Sequence, residues 1–175
     1  MTTDPTAAAV DELLTDARVW GLELETGFRV LAATVEVEVG RHPDGPTVDD
    51  PRLQVLFHPV ARVAALLTRQ EPGGPVTIER FGEAQLPLVV DRFDGPVPSR
   101  VVLDGRPDPS GWAPELSLEG ASSAPDGRSH ALELALEGPG GRHLRLAVWF
   151  DEIELRRPDG TVIGPSGPVG PLGLG

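Results

Sequence analysis

The chain has 175 residues, a length that fits one domain and allows a sizeable core without cross-links. Its 27 acidic residues outnumber its 15 basic residues, and the formal net charge is −12. Such a chain repels nucleic-acid phosphates and anionic membrane surfaces, so we expect neither as a partner. It has no cysteine, which excludes disulfides and thiolate chemistry.

The N-terminal residues predict a helix over about residues 5–18. Asp4 is a favoured N-cap, Pro5 suits the first helical position, and Gly21 is a suitable end. Apolar residues at three- and four-residue spacing form one stripe: Val10, Leu13, Leu14 and Ala17. No positive region precedes an apolar run, and no apolar stretch approaches the roughly 20 residues that span a bilayer. We therefore expect a cytoplasmic protein.

Strand patterns dominate the chain after the helix. Alternating apolar residues predict strands over 19–39 (with a turn at Thr26–Gly27), 53–57, 76–81, 86–93, 100–103 and 116–118. Pro59 predicts a bulge or an edge position. The segment 60–67 fits either a helical stripe or a strand, and we interpret it as a continued strand.

The strongest structural signal is a hairpin between residues 129 and 157. Leucines alternate with polar residues on both arms, and a glycine-rich loop connects them. On the second arm the apolar residues change from even to odd positions after Phe150. That change of parity predicts a β-bulge at Asp151–Glu152.

These elements predict a mostly β fold: an antiparallel β-sandwich or flattened barrel with one N-terminal α-helix, over residues 1–163. Residues 164–175 carry glycine at every third position and predict a disordered, polyproline-like tail. Val169, Leu172 and Leu174 are candidate anchors for docking this tail into a protein partner or another copy of the chain.

Motifs for catalysis are absent from the sequence. No serine lies in a nucleophile elbow, and no glycine-rich phosphate loop follows a strand. His130 and His143 can lie near each other across the hairpin as a metal pair, but no two histidines have the spacing of a local metal motif, and the acidic loops match no calcium-binding spacing. We therefore expect no metal and no cofactor, and a non-enzymatic role is favoured over catalysis.

Two tryptophans are the candidate binding residues. By parity Trp149 lies on the hairpin face opposite the leucines, near Asp151, and Trp112 lies in a loop rich in Pro, Gly and Asp. The leading prediction is a non-catalytic cytoplasmic accessory or protein-interaction module. The alternative is a domain that binds a carbohydrate or another small ligand through Trp112, Trp149 and Asp151.

Overall fold

The computed structural model describes residues 5–93, 99–103, 105–118 and 130–163. The helices are α1 (Pro5–Leu14) and α2 (Leu86–Asp91). The strands are β1 (Arg18–Glu25), β2 (Val30–Glu36), β3 (Arg52–Gln70), β4 (Val76–Glu79), β5 (Ser99–Leu103), β6 (Glu115–Ser117), β7 (His130–Glu137), β8 (Arg142–Arg156) and β9 (Val162–Ile163).

The strands in the described ranges form one antiparallel sheet of nine strands, which is not closed on itself. Its main order is β1-β2-β3-β8-β7-β5, with β4 and β6 also paired to β3 and β9 paired to β8. The predicted mostly β, antiparallel fold with a helix near the N-terminus is confirmed. The hairpin between β7 and β8 is also confirmed, with Leu134 directly opposite Leu146.

The long strand β3 organises the sheet. One of its edges pairs with β8 from Gln54 to Arg69, and the other edge pairs in turn with β2, β6 and β4. The segment 60–67 is therefore a strand, as predicted. Pro59 lies in the gap between the β2 and β6 pairings, at the kind of position where a missing ladder N–H is tolerated.

The register shift in the β3–β8 ladder comes from an extra residue on β3, so the bulge predicted at Asp151–Glu152 of β8 is wrong. Glu152 pairs with His58 and Phe150 pairs with Val60, so β8 carries no extra residue there. The register shifts between Val60 and Arg62, which makes Ala61 the extra residue. The apolar positions of β8 do change from even to odd numbers after Phe150. Ile153 and Leu155, which lie opposite Phe57 and Val55, pack against the core.

Helix α1 ends earlier than predicted. It stops at Leu14, Asp16 adopts a left-handed φ of 62°, and Gly21 lies within β1. A short polar residue tolerates this conformation, which ends the helix and directs Ala17 into the core. Arg41 donates to the carbonyl oxygen of Thr15 at 2.9 Å, placing a cation at the helix C-terminus. The N-cap predicted at Asp4 lies outside the described residues.

Residues 86–93, predicted to be a strand, contain helix α2 instead. Pro87 occupies the first turn, where its missing N–H needs no partner. Leu86, Val90 and Phe93 recur at helical spacing and are all buried. This stripe packs the helix onto the apolar core, which overrides the strand propensity of its valines.

One hydrophobic core joins both helices to the sheet. Phe57 and Phe150 lie at its centre, with ring centroids 5.0 Å apart. Among the described residues, neither helix has the length and apolar composition needed to cross a membrane. The predicted tail from Gly164 onward, with Val169, Leu172 and Leu174, lies outside the described part of the chain.

Candidate functional site

The face of β8 opposite the core carries the candidate site. Leu144, Leu146, Val148 and Phe150 are fully buried in the core, so the alternating residues between them lie on the other face. Trp149 is one of these residues and is half-buried. A large aromatic side chain on this face needs neighbours that shield it from water, and the adjoining strands and a loop supply them.

Arg62 of β3 lies directly opposite Trp149 in the sheet. Its guanidinium carbon is 4.5 Å from the centroid of the indole ring, a cation–π contact. Its Nε is also 2.6 Å from Oε1 of Glu115 on β6, although this buried nitrogen makes no well-directed hydrogen bond. Glu115 therefore neutralises the cation that stacks on Trp149.

A second arginine–tryptophan pair lies beside the first. Arg145 of β8 places its guanidinium carbon 4.7 Å from the ring centroid of Trp112. The same guanidinium donates to Oε1 of Glu133 on β7 at 2.6 Å. The two pairs share the same arrangement: in each, one arginine contacts both an indole ring and a carboxylate.

The loop from residue 105 to 114 brings Trp112 onto the sheet. Asp108 accepts hydrogen bonds from the backbone and hydroxyl of Ser110, and Trp112 N–H donates to the Pro109 carbonyl at 2.8 Å. At the end of the loop, Ala65 N–H donates to the carbonyl oxygen of the buried Pro114 at 2.9 Å. The loop is thereby tied to β3, and its turn chemistry positions the indole ring.

A cavity of about 310 Å³ lies between this loop and the sheet. It is lined by both tryptophans, by Arg62 and Glu115, and by loop residues Pro107, Pro109, Ser110 and Gly111. The exposed lining is mostly polar: an arginine, a carboxylate and a hydroxyl lie beside two indole rings, each of which is contacted by an arginine. These groups can receive the apolar face of a ligand while exchanging hydrogen bonds with its polar edge.

The structure brings together two of the three binding residues predicted from sequence. Trp112 and Trp149 line the same cavity and are half-buried rather than fully exposed. Asp151 is half-buried two residues beyond Trp149 and does not line the cavity. Sequence reasoning missed Arg62 and Glu115, because placing them needs the register of β3 across the bulge at Ala61.

The acidic loops serve local structure. Asp50 accepts two hydrogen bonds from the Arg52 guanidinium, and these lower the pKa of its carboxyl to about 2. Asp44 accepts two hydrogen bonds from the Arg157 guanidinium, and these lower the pKa of the Asp44 carboxyl. The hydroxyl of Ser110 lowers the pKa of Asp108 in the same way. Each of these carboxylates is held in its charged form by a neighbour in the chain's own structure.

The histidines do not converge in the described part of the chain. His130 pairs with Phe150 and His143 pairs with Glu137, so they lie at opposite ends of the β7–β8 ladder. His42 is buried, and its Nδ1 accepts from the backbone N–H of Asp44 at 3.1 Å. Within the described ranges no three His, Asp or Glu side chains group as metal ligands.

Comparisons with known proteins found no family model, no curated protein and no solved structure that matches this chain.

Proposed function

We propose that this chain is a non-catalytic binding module that holds a small carbohydrate in the cavity lined by Trp112 and Trp149. The observation that carries the proposal is the convergence of these two residues, from a loop and from β8, on one cavity that also contains Arg62 and Glu115. Aromatic surfaces next to hydrogen-bonding side chains suit a sugar, which has an apolar C–H face and a polar rim of hydroxyls.

Charge favours a neutral ligand. Arg62 is offset by Glu115, and Arg145 is offset by Glu133. An anionic ligand would compete with these carboxylates, whereas neutral hydroxyl groups can donate to a carboxylate oxygen and accept from a guanidinium N–H. The cavity volume of about 310 Å³ is near the lower end of the usual range for small-molecule sites and fits a mono- or disaccharide.

The lining favours binding over hydrolysis. Hydrolysis of a glycosidic bond commonly uses two carboxyl groups that flank the bond. Glu115 is the one acidic residue among the described residues that line this cavity. Its Oε1 is already paired with the Arg62 guanidinium, 2.6 Å away.

The proposal is tested by calorimetric titration with glucose, galactose, maltose and cellobiose. Trp112→Ala and Trp149→Ala should each weaken binding of the best sugar about tenfold or more, since each removes one aromatic wall. Trp20→Phe is the matched control, because the Trp20 indole donates to Glu36 on β2 and does not line the cavity. Failure of all four sugars to bind, or equal affinities for all variants, would contradict the proposal.

A protein-interaction module is the second candidate function. Strand β4 pairs with β3 on one side, and within the described residues no strand pairs with its other side. Val76 and Ile78 on this edge strand are 59% and 56% exposed. A free edge with exposed apolar residues is a place where another strand can add. If the chain self-associates through β4, Ile78→Lys should shift its sedimentation to that of a monomer, whereas Thr77→Lys should do so less.

A further inference from the structure

A second cavity, of about 230 Å³, lies beside helix α2 and shares no lining residue with the tryptophan cavity. Its apolar walls come from three parts of the chain: Leu67 of β3, Phe81 before the helix, and Leu88, Val89 and Phe93 on or just after α2. Phe93 is buried, while Leu88 is 62% exposed. An apolar wall thus runs from the core to the protein surface.

The charged residues that line the same cavity are three arginines, Arg80, Arg92 and Arg142, and one carboxylate, Glu79. Arg142 is paired with Glu79, its Nε being 3.0 Å from the carboxylate. Arg80 and Arg92 are exposed, and neither makes an ion pair or side-chain hydrogen bond with the part of the chain that the structure describes. Within the described ranges these are two cations without a carboxylate partner beside one cavity, in a chain with a net charge of −12.

We propose that this cavity binds a small amphipathic carboxylate, with its hydrocarbon part against Phe81, Val89 and Phe93 and its carboxylate between Arg80 and Arg92. The guanidinium group suits this task because its planar N–H groups match the two oxygens of a carboxylate. The apolar walls explain why the ligand needs a hydrocarbon body, since a simple inorganic anion would leave them in contact with water. Charge complementarity selects the carboxylate over an alcohol or an amine of equal length.

The test uses octanoate as the probe in isothermal titration calorimetry, with octanol, octylamine and acetate as comparison ligands. Octanoate should bind, octanol and octylamine should bind at least about tenfold more weakly, and acetate should not bind detectably. The double variant Arg80→Gln/Arg92→Gln should weaken octanoate binding by at least about tenfold, since it removes both charge-assisted contacts.

Arg18→Gln is the matched control, because Arg18 is exposed on β1 and does not line the cavity. It should leave octanoate affinity unchanged. Circular dichroism of the double variant should match that of the unaltered protein, since both arginines are exposed and neither forms an ion pair with another described residue. The proposal is overturned if octanol binds as tightly as octanoate, if octanoate does not bind, or if the double variant binds it with undiminished affinity.

A Phe81→Ala variant separates the hydrocarbon contact from the charge contact. Phe81 is partly buried and borders the cavity, so its loss should weaken octanoate binding while acetate remains a non-ligand. Unchanged octanoate affinity in this variant would place the hydrocarbon chain elsewhere and would contradict the proposed binding mode.

Discussion

Arg62 and Trp149 are partners across the β3–β8 ladder, with the guanidinium carbon 4.5 Å from the indole centroid. The contact depends on the extra residue at Ala61, which sets the register that brings this arginine opposite this tryptophan. The Arg62 side chain is 21% exposed, so the pair is shielded from most of the solvent. The pair thus links the bulge in β3 to one wall of the candidate binding cavity.

A double-mutant cycle measures this coupling. Arg62→Leu and Trp149→Leu, singly and together, should give an interaction free energy of about 0.5–2 kcal/mol in urea unfolding, the range for partly desolvated cation–π pairs. The cycle is needed because Arg62→Leu alone also removes the Glu115 contact. A coupling free energy of zero within error would show that the two side chains are neighbours without a stabilising interaction.

The paired leucines of the hairpin should be sensitive positions of the core. Leu134 and Leu146 face each other and are at most 1% exposed. Replacing either with alanine should lower the free energy of unfolding by about 2–5 kcal/mol through lost burial and a residual cavity. Leu88→Ala is the control for the same chemical change at a surface position, with an expected effect within about 0.5 kcal/mol. A loss below about 1 kcal/mol at the two core sites would contradict the assigned inward face.

Two neighbouring glycines in the β7–β8 loop should differ sharply in their tolerance of alanine. Gly140 and Gly141 both have positive φ, at 69° and 71°. A Cβ at Gly141 would lie 2.1 Å from the carbonyl oxygen of Gln70, whereas a Cβ at Gly140 meets open space. Gly140→Ala should cost about 1–2 kcal/mol from its left-handed backbone alone.

Gly141→Ala should lower the free energy of unfolding clearly more than Gly140→Ala does, because the β3 backbone at Gln70 must also move away. Thermal and urea unfolding of the two variants measure the difference. Equal losses of stability at the two positions would show that the loop relaxes away from Gln70 at little cost.

The Asp50–Arg52 pair predicts a pH-dependent contribution to stability. The folded-state pKa of Asp50 is lowered from 3.8 to about 2 by its hydrogen bonds to Arg52. A lowered folded pKa stabilises the fold above the unfolded pKa, and this contribution is lost as pH falls from about 4 to about 2. Asp50→Asn should therefore be less stable than the unaltered protein at neutral pH, and the gap should close near pH 2.

Unfolding in urea across this pH range measures that gap. Asp49→Asn is the control, because it removes a neighbouring carboxylate while leaving the Arg52 hydrogen bonds in place. A gap between the Asp50→Asn variant and the unaltered protein that stays constant from neutral pH to pH 2 would contradict the pairing.

Much of the sheet could be predicted from sequence because its strands are amphipathic. The alternation around Leu134 and Leu146 specifies which face is buried, and a loop that contains Gly140 and Gly141 specifies a turn. Helix α2 is not predicted by the sequence analysis, although Pro87 and the helical spacing of its apolar residues are visible in the sequence. Its valines favour a strand locally, but packing of its apolar face on the core stabilises the helix instead.

The candidate site was only partly predictable for a different reason. The positions of Trp112 and Trp149 marked them as unusual, but nothing local shows that the loop before Pro114 folds over the sheet. Arg62 and its carboxylate partner join them through pairings between strands that are distant in sequence. The register across a bulge is a property of the folded sheet, so local patterns do not specify it.

The most direct test of the proposed binding site is a two-dimensional NMR titration that follows the indole N–H signals of the three tryptophans. Adding the sugar that binds best should shift the signals of Trp112 and Trp149 along one saturation curve. The signal of Trp20, whose indole N–H donates to Glu36 at 2.8 Å, should remain in place. Saturable shifts at Trp20 alone, or no saturable shift at Trp112 and Trp149, would contradict the assignment of the cavity as a carbohydrate site.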